Sequence, residues 1–103
     1  MTDTPSVEVR DNPDQHRYEI LVDGVVAGHA RYRRESGVVV FIHTEVDDQY
    51  AGQGLGRRLA RAALEDVGER GLRVTPLCPF IARFIHNNPE YQDLLTTRNV
   101  TTP

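Results

Sequence analysis

Residues 50–58 read Tyr-Ala-Gly-Gln-Gly-Leu-Gly-Arg-Arg, so Gly52, Gly54 and Gly56 alternate with other residues and Arg57 and Arg58 follow directly. Glycine is costly wherever a chain must be ordered. A cluster of this density points to a backbone that adopts positive φ or lets a ligand approach closely. The arginines fall in the first turn of the helix that the downstream pattern predicts. A cation there opposes the macrodipole, at about 0.3–1 kcal/mol when exposed. A bound anion would offset that cost, and the unpaired N–H groups of a helix start are suited to a phosphate. The alternative is a flexible connector carrying two solvated arginines. A P-loop would end in Gly-Lys-Ser/Thr, and the chain contains no lysine. A dinucleotide fingerprint would need the wider G-x-G-x-x-G spacing, a βαβ setting and an acid after the next strand. Here the spacing differs, the segment Leu72–Cys78 has no acid, and the preceding strands read as an antiparallel meander. A cradle for another kind of diphosphate remains.

Proton chemistry could sit just upstream. His43 and Glu45 are two apart on a predicted strand, so they share a face. An unperturbed histidine titrates near about 6.5 and suits a general base. Glu45 could serve if burial raised its pKa. The two are kept as alternatives, with His43 favoured, against the reading of a solvated polar strand end. Cys78 precedes Pro79 at a predicted helix start, where a thiolate is stabilised. It is either a nucleophile or near-site thiol, or a small residue packed where strand meets helix. Asn87 and Tyr91 follow the second predicted helix, and there the turn-and-packing reading is preferred.

These residues need a scaffold. Val7 and Val9 alternate in a short strand. Residues 10–16 read as a turn around Asn12-Pro13. His16, Tyr18, Ile20 and Val22 share the apolar face of the next strand, with Arg17 and Glu19 opposite. Asp23-Gly24 is a hairpin signal. Val26, Ala30 and Tyr32 then face the core while His29, Arg31 and Arg33 face away. Residues 38–46 are apolar on both faces at their start. From Gly54 to Arg70 the period becomes helical through Leu55, Leu59, Ala62, Ala63 and Val67, and Gly71 stands where a cap belongs. A strand over 72–78, a helix opened by Pro79 with Phe80, Ile81, Phe84 and Ile85 on one stripe, and a helical piece opened by Pro89 complete the pattern. The expected fold is α+β: an antiparallel meander, a central helix, a further strand and short C-terminal helices. Residues 1–5 are expected to fray, 6–95 to form one domain, and 96–103 to be a disordered tail.

The 12 basic residues are all arginine and the formal net charge is −3, so no global basic field for nucleic acid exists. No apolar run approaches membrane-spanning length, and the N-terminus lacks a signal-peptide pattern. A single cysteine excludes an intrachain disulfide and fits the cytoplasm. A monomer is favoured.

The meander, the Ala-Gly-Gln-Gly-Leu-Gly loop and the apolar helix together resemble the GNAT-type N-acetyltransferases. Their pyrophosphate loop, Arg/Gln-x-x-Gly-x-Gly/Ala, maps to Ala51, Gly52, Gln53, Gly54, Leu55 and Gly56, with Ala51 departing from the usual first residue. His-Thr-Glu-Val at 43–46, Pro-Leu-Cys-Pro-Phe at 76–80 and Asn-Asn-Pro-Glu-Tyr at 87–91 extend the similarity, from about Val7 to Leu95, to the compact YjdJ-type branch. The resemblance implies acetyl-CoA or CoA binding, with the pyrophosphate at residues 52–57 and Arg58 beside it. It also implies pantetheine contacts near Glu45 and Val46, and further cofactor contacts at Cys78, Pro79, Asn87 and Tyr91. The expected activity is acetyl transfer to an amine acceptor that the sequence does not define. The alternatives are a CoA or acyl-CoA binding module without turnover, and an interaction domain using the exposed sheet face.

Overall fold

Strand-forming segments rich in Val, Ile, Tyr and Phe fill the first half of the chain, and each turns back on its predecessor. The computed structural model describes residues 5–96. The strands are β1 (Val7–Asn12), β2 (Arg17–Val22), β3 (Val25–Glu35), β4 (Val38–Val46) and β5 (Arg73–Pro76). They form one sheet in sequence order. The first four pair antiparallel, whereas β5 lies parallel to β4. The helices are α1 (Leu55–Glu69) and α2 (Pro79–Asn87), with short 3-10 turns at Pro13–Gln15, Asp48–Tyr50 and Pro89–Leu94.

The mixed α/β architecture matches the expectation, with particular differences. β1 runs to Asn12, further than its valines suggest, because Asn12 still pairs with Arg17 and then caps the turn with its side chain. His16 leaves the strand in a left-handed conformation. The parallel β5 makes β4–α1–β5 a βαβ unit, so the glycine loop does have the setting that the meander argued against. Spacing and the missing acid still separate it from a dinucleotide site. Leu95 bridges to Val74, and the Thr96 amide donates to the Val74 carbonyl at 3.0 Å. Thr96, the last described residue, is thus held against β5. The rest of the expected tail, and residues 1–4, lie outside the described residues.

Both helices pack on one face of the sheet. The core joins Tyr18, Ile20, Ala30, Tyr32, Val39, Phe41 and Val74 to Leu55, Leu59, Ala60, Ala63, Leu64 and Val67 of α1 and Ile81, Phe84 and Ile85 of α2. Ala60 and Leu64 belong to the buried arc of α1, while Ala62 is only partly covered. Tyr18 and Tyr32 are fixed by hydrogen bonds from their hydroxyls to Asp66 and Asp11, at 2.6 and 2.5 Å. Burial, then the acid partners, push both phenols far above their ordinary pKa.

Two bulges control which side chains reach which face. Between Val26 and Gly28 the β2–β3 register shifts, so Ala27 joins the core and Val26 turns to the opposite face, across from Leu21. Between Phe41 and His43 the β3–β4 register shifts again, at Ile42. Simple alternation would put Phe41, His43 and Glu45 on one face. The bulge instead leaves Phe41 in the core and turns His43 and Glu45 to the helix-free face.

Leu59 is fully buried between helix and sheet. Leu59→Ala is expected to lower unfolding stability by about 2–5 kcal/mol. Urea denaturation measures this, and a cost near zero would contradict its place in the core.

Candidate functional site

The parallel β4–β5 ladder runs from Val38 opposite Arg73 to Phe41 opposite Pro76. The Phe41 carbonyl then accepts from the amides of both Leu77 and Cys78, at 2.9 and 3.0 Å. Beyond that double acceptance the strands part. Residues 43–46 of β4 keep their pairing with β3 but have no partner in β5.

The glycine loop closes the end of this opening. Gly52 and Gly54 have φ of +82° and +73°, the left-handed region that glycine enters without a Cβ penalty. Gly54 is the N-terminal cap residue of α1 and offers no side-chain cap. The first backbone bond of the helix comes from Arg58 N to Gly54 O. The amides of Leu55, Gly56 and Arg57 therefore have no acceptor within the helix. A Cβ on Gly52 would meet open space, whereas one on Gly56 would lie 3.1 Å from the Phe80 ring. Gly56 thus allows α2 to approach the start of α1. The Arg57 guanidinium folds back towards Gly54, and neither Arg57 nor Arg58 forms an ion pair among the described residues.

Two adjoining depressions of about 190 Å³ each follow from this packing. One is lined by Val46, Tyr50, Ala51, Gly52, Gly54 and Leu55; the other by Arg83, Phe84, Asn87 and Asn88. Arg57 and Phe80 line both. Phe80 is 39% exposed rather than part of the buried stripe. Its role as a groove wall was not legible, since a nine-residue helix has a narrower buried arc than its four apolar residues suggest. Ala51 and Gln53 are exposed at the rim.

On the helix-free face, the register aligns two rows of side chains. Asn12, Arg17, Arg31 and His43 form one; Arg10, Glu19, His29 and Glu45 form the other. Glu45 Oε1 lies 3.4 Å from His43 Nε2 and 3.9 Å from His29 Nε2. His43 and Glu45 are exposed, whereas His29 is mostly covered. Burial, followed by the Arg17 charge, holds the His29 imidazole below its ordinary pKa, against the pull of Glu45. Sequence reasoning assigned His29 to this face but not to the His43–Glu45 group; only the cross-strand register brings it there.

Glu19 is 2% exposed although no helix covers it. Arg17 Nε donates to Oε2 at 2.7 Å, Asn12 Nδ2 to Oε2 at 3.1 Å, and Arg10 Nε to Oε1 at 3.2 Å. Burial pushes this carboxyl up, but the three hydrogen bonds outweigh it and hold the group below the usual range.

Cys78 lies on the helix side. It is 2% exposed, and its thiol donates to Thr44 Oγ1 at 3.3 Å. Thr44 stands between His43 and Glu45 in sequence and points the other way. The structure therefore brings His43 and Glu45 together and places Cys78 across the strand from them. Pro79 opens α2, with Cys78 as its cap residue. Tyr91 is buried, donating to Glu65 at 2.9 Å and accepting from Arg61 at 3.4 Å, so its hydroxyl is occupied in packing α1 against the C-terminal segment. Among the described residues no group of His, Cys, Asp and Glu is arranged to hold a metal ion, and no helix is long and apolar enough to cross a membrane.

Residues 17–94 match the family model described as GCN5-related N-acetyl-transferase. A GCN5-like protein from Staphylococcus aureus superposes with a TM-score of 0.67 at 23% identity, over 89% of this chain and 90% of that one. A ribosomal-protein-alanine N-acetyltransferase from Brucella melitensis superposes at 0.55 with 14% identity, over 84% and 65%. At these identities the likeness establishes the fold. Protein NATD1 of Bos taurus is 44% identical over 52 residues, and that of Homo sapiens 40%. Each match covers 50% of this chain and 46% of the relative, so the alignment spans about half the length of the curated relatives.

In the unfolded chain Glu19 should titrate near about 4.3, above its folded value. Its stabilisation is then complete above the unfolded value and lost as pH falls through the folded one. The melting-temperature advantage of wild type over Glu19→Gln is expected to be largest near neutrality and to shrink below about pH 5. A pH-independent gap would show that the arginines do not depend on the carboxylate charge.

Proposed function

The chain belongs to the GCN5-related N-acetyltransferase family, and we propose that it binds acetyl-CoA in the β4–β5 opening and transfers the acetyl group to an amine. The supporting observation is the start of α1: amides without a helical acceptor, left-handed Gly52 and Gly54, and two arginines without an ion pair among the described residues, all beside a parted strand pair. These residues fit a pyrophosphate, since the dipole and the amides favour an anion and Gly52 leaves room for it. Ala51, Gly52, Gln53, Gly54, Leu55, Gly56, Arg57 and Arg58 would hold the diphosphate end. The free edge of β4 at Glu45 and Val46 would hold the pantetheine through backbone groups. Phe80, Pro79 and Asn87 would line the outer groove, while Tyr91 would act through packing.

Acetyl-CoA supplies an activated acyl group as a thioester. An acceptor ammonium must lose a proton before its nitrogen can attack the carbonyl carbon. His43 is the proposed base, and Glu45, 3.4 Å from its Nε2, steadies the imidazolium that results. The new C–N bond forms, the C–S bond breaks, and the released CoA thiolate takes up a proton. Cys78 lies where β4 and β5 part, near the proposed acyl end. Its hydrogen bond to the Thr44 hydroxyl gives it no base, which favours direct transfer over an acetyl-cysteine. The buried free thiol suits a reducing compartment, and the cytoplasm is the proposed location.

Acetyl-CoA at a hundred times its Kd is expected to stabilise the fold by about 2.7 kcal/mol in a thermal-shift assay. Gly54→Ala, forced to a left-handed conformation against Arg57, is expected to weaken that binding about tenfold. Unchanged melting with acetyl-CoA in both proteins would remove the proposal. His43→Gln is expected to lower kcat by about 10²–10⁴ while retaining the acetyl-CoA shift. An equal loss in Glu45→Gln alone would transfer the role of base to Glu45. Intact mass after incubation with acetyl-CoA is expected to show no adduct at Cys78; an adduct absent from Cys78→Ala would establish the covalent route.

A further inference from the structure

Arg17 and Arg31 stand directly opposite each other on β2 and β3, and Arg31 in turn stands opposite His43 on β4. Like charges in directly opposed positions destabilise a sheet. Arg17 is relieved by Glu19. Arg31 forms no ion pair among the described residues. Beside it opens a cleft of about 730 Å³, lined by Arg17, Arg31, Arg33, Arg34, His16 and Ile42 among others, with no carboxylate in its lining. The acids of this face on β2, β3 and β4 are already engaged: Glu19 by two arginines, Glu35 by Arg33 and Glu45 by histidines. The mixed charge of the sequence thus resolves into a cleft of one sign.

We propose that this cleft holds the carboxylate or phosphate of a small amine-bearing acceptor, so that zwitterionic amines are selected over polycationic ones. The proposal rests on the acetyl-transfer reading above. An arginine provides a planar fork of donors that matches either anion. Directly opposed residues have Cβ atoms about 4.5–5.5 Å apart. His43 is not in the cleft lining but stands opposite Arg31, so the proposal puts the amine of a short acceptor held on Arg31 beside His43. A polyamine would meet Arg31 and Arg34, which form no ion pair among the described residues, as like charges and lose affinity.

The test has a binding arm without acetyl-CoA and a turnover arm with it. Titrations with β-alanine, O-phosphoethanolamine and putrescine are followed by NMR at the backbone amides of Arg17, Arg31 and Arg33. The two anionic amines are expected to shift these signals and putrescine to leave them. Arg31→Gln is expected to weaken the anion at least tenfold, with partial rescue in Arg31→Lys and the acetyl-CoA thermal shift retained. In turnover, kcat/KM for at least one anionic amine is expected to exceed that for ethanolamine and putrescine tenfold or more. Preference between β-alanine and O-phosphoethanolamine identifies carboxylate or phosphate. Equal shifts with putrescine, or no shift with either anion, would overturn the proposal, as would binding of a short RNA alone at the cleft. Anion binding without any acetyl-CoA stabilisation would overturn the acceptor role and the transferase reading together. Faster turnover of putrescine would overturn the acceptor class and leave the transferase reading in place.

Discussion

The carbonyl of Phe41 decides how much of the sheet is closed. It takes the amides of both Leu77 and Cys78, and with that the parallel ladder between β4 and β5 ends. Phe41 itself is fully buried under α1 and α2, so the point of parting is fixed by the core rather than by a loop. Past it, one strand edge carries backbone donors and acceptors without a neighbouring strand. Exposed edges invite pairing with other chains. Here the edge is short, lies against the glycine loop, and faces the start of a helix. The same departure that breaks the ladder creates a slot with hydrogen-bonding groups along one wall and a dipole at one end. An extended ligand with an anionic terminus is the natural complement to such a slot.

Much of this was readable in the residues, and for local reasons. Asp23-Gly24 turns with both residues at positive φ, Gly71 closes α1 in the left-handed region, and Pro79 opens α2. The loop from Gly52 to Arg58 stands out through costs that a bare connector would not need. What escaped notice depends on partners distant in sequence. Nothing in Arg73–Pro76 says whether that strand will run parallel or antiparallel. Bulges at Ala27 and Ile42 leave no mark in composition, yet they exchange Ala27 for Val26 in the core and turn His43 away from Phe41. Glu19 reads as a solvated residue on a polar face, and becomes buried only because Arg10, Asn12 and Arg17 converge on it from two strands.

Total charge is a poor guide to this molecule. The formal net charge of −3 conceals two surfaces that lack acids, one at the start of α1 and one beside Arg31. They are separated by the His43–Glu45 pair and by the thickness of the sheet. Glu19 contributes to the second surface indirectly. By pairing with Arg17, it helps to hold one of the cleft's arginines in position.

The bulge at Ile42 also makes β4 depend on how it pairs with β3 in a way its composition hides. Upstream of it, the strand obeys the packing of the core; downstream, it serves the opposite face. Exchanging Ile42 for another apolar residue would leave that division intact. Pairing the same residues without the bulge would turn the downstream half over, carrying His43 and Glu45 under the helices and bringing Thr44 out, whereas deleting Ile42 would set His43 next to Phe41 and leave every facing as it is. In a map of tolerated changes, this position would be permissive to substitution and, so far as facing goes, to deletion.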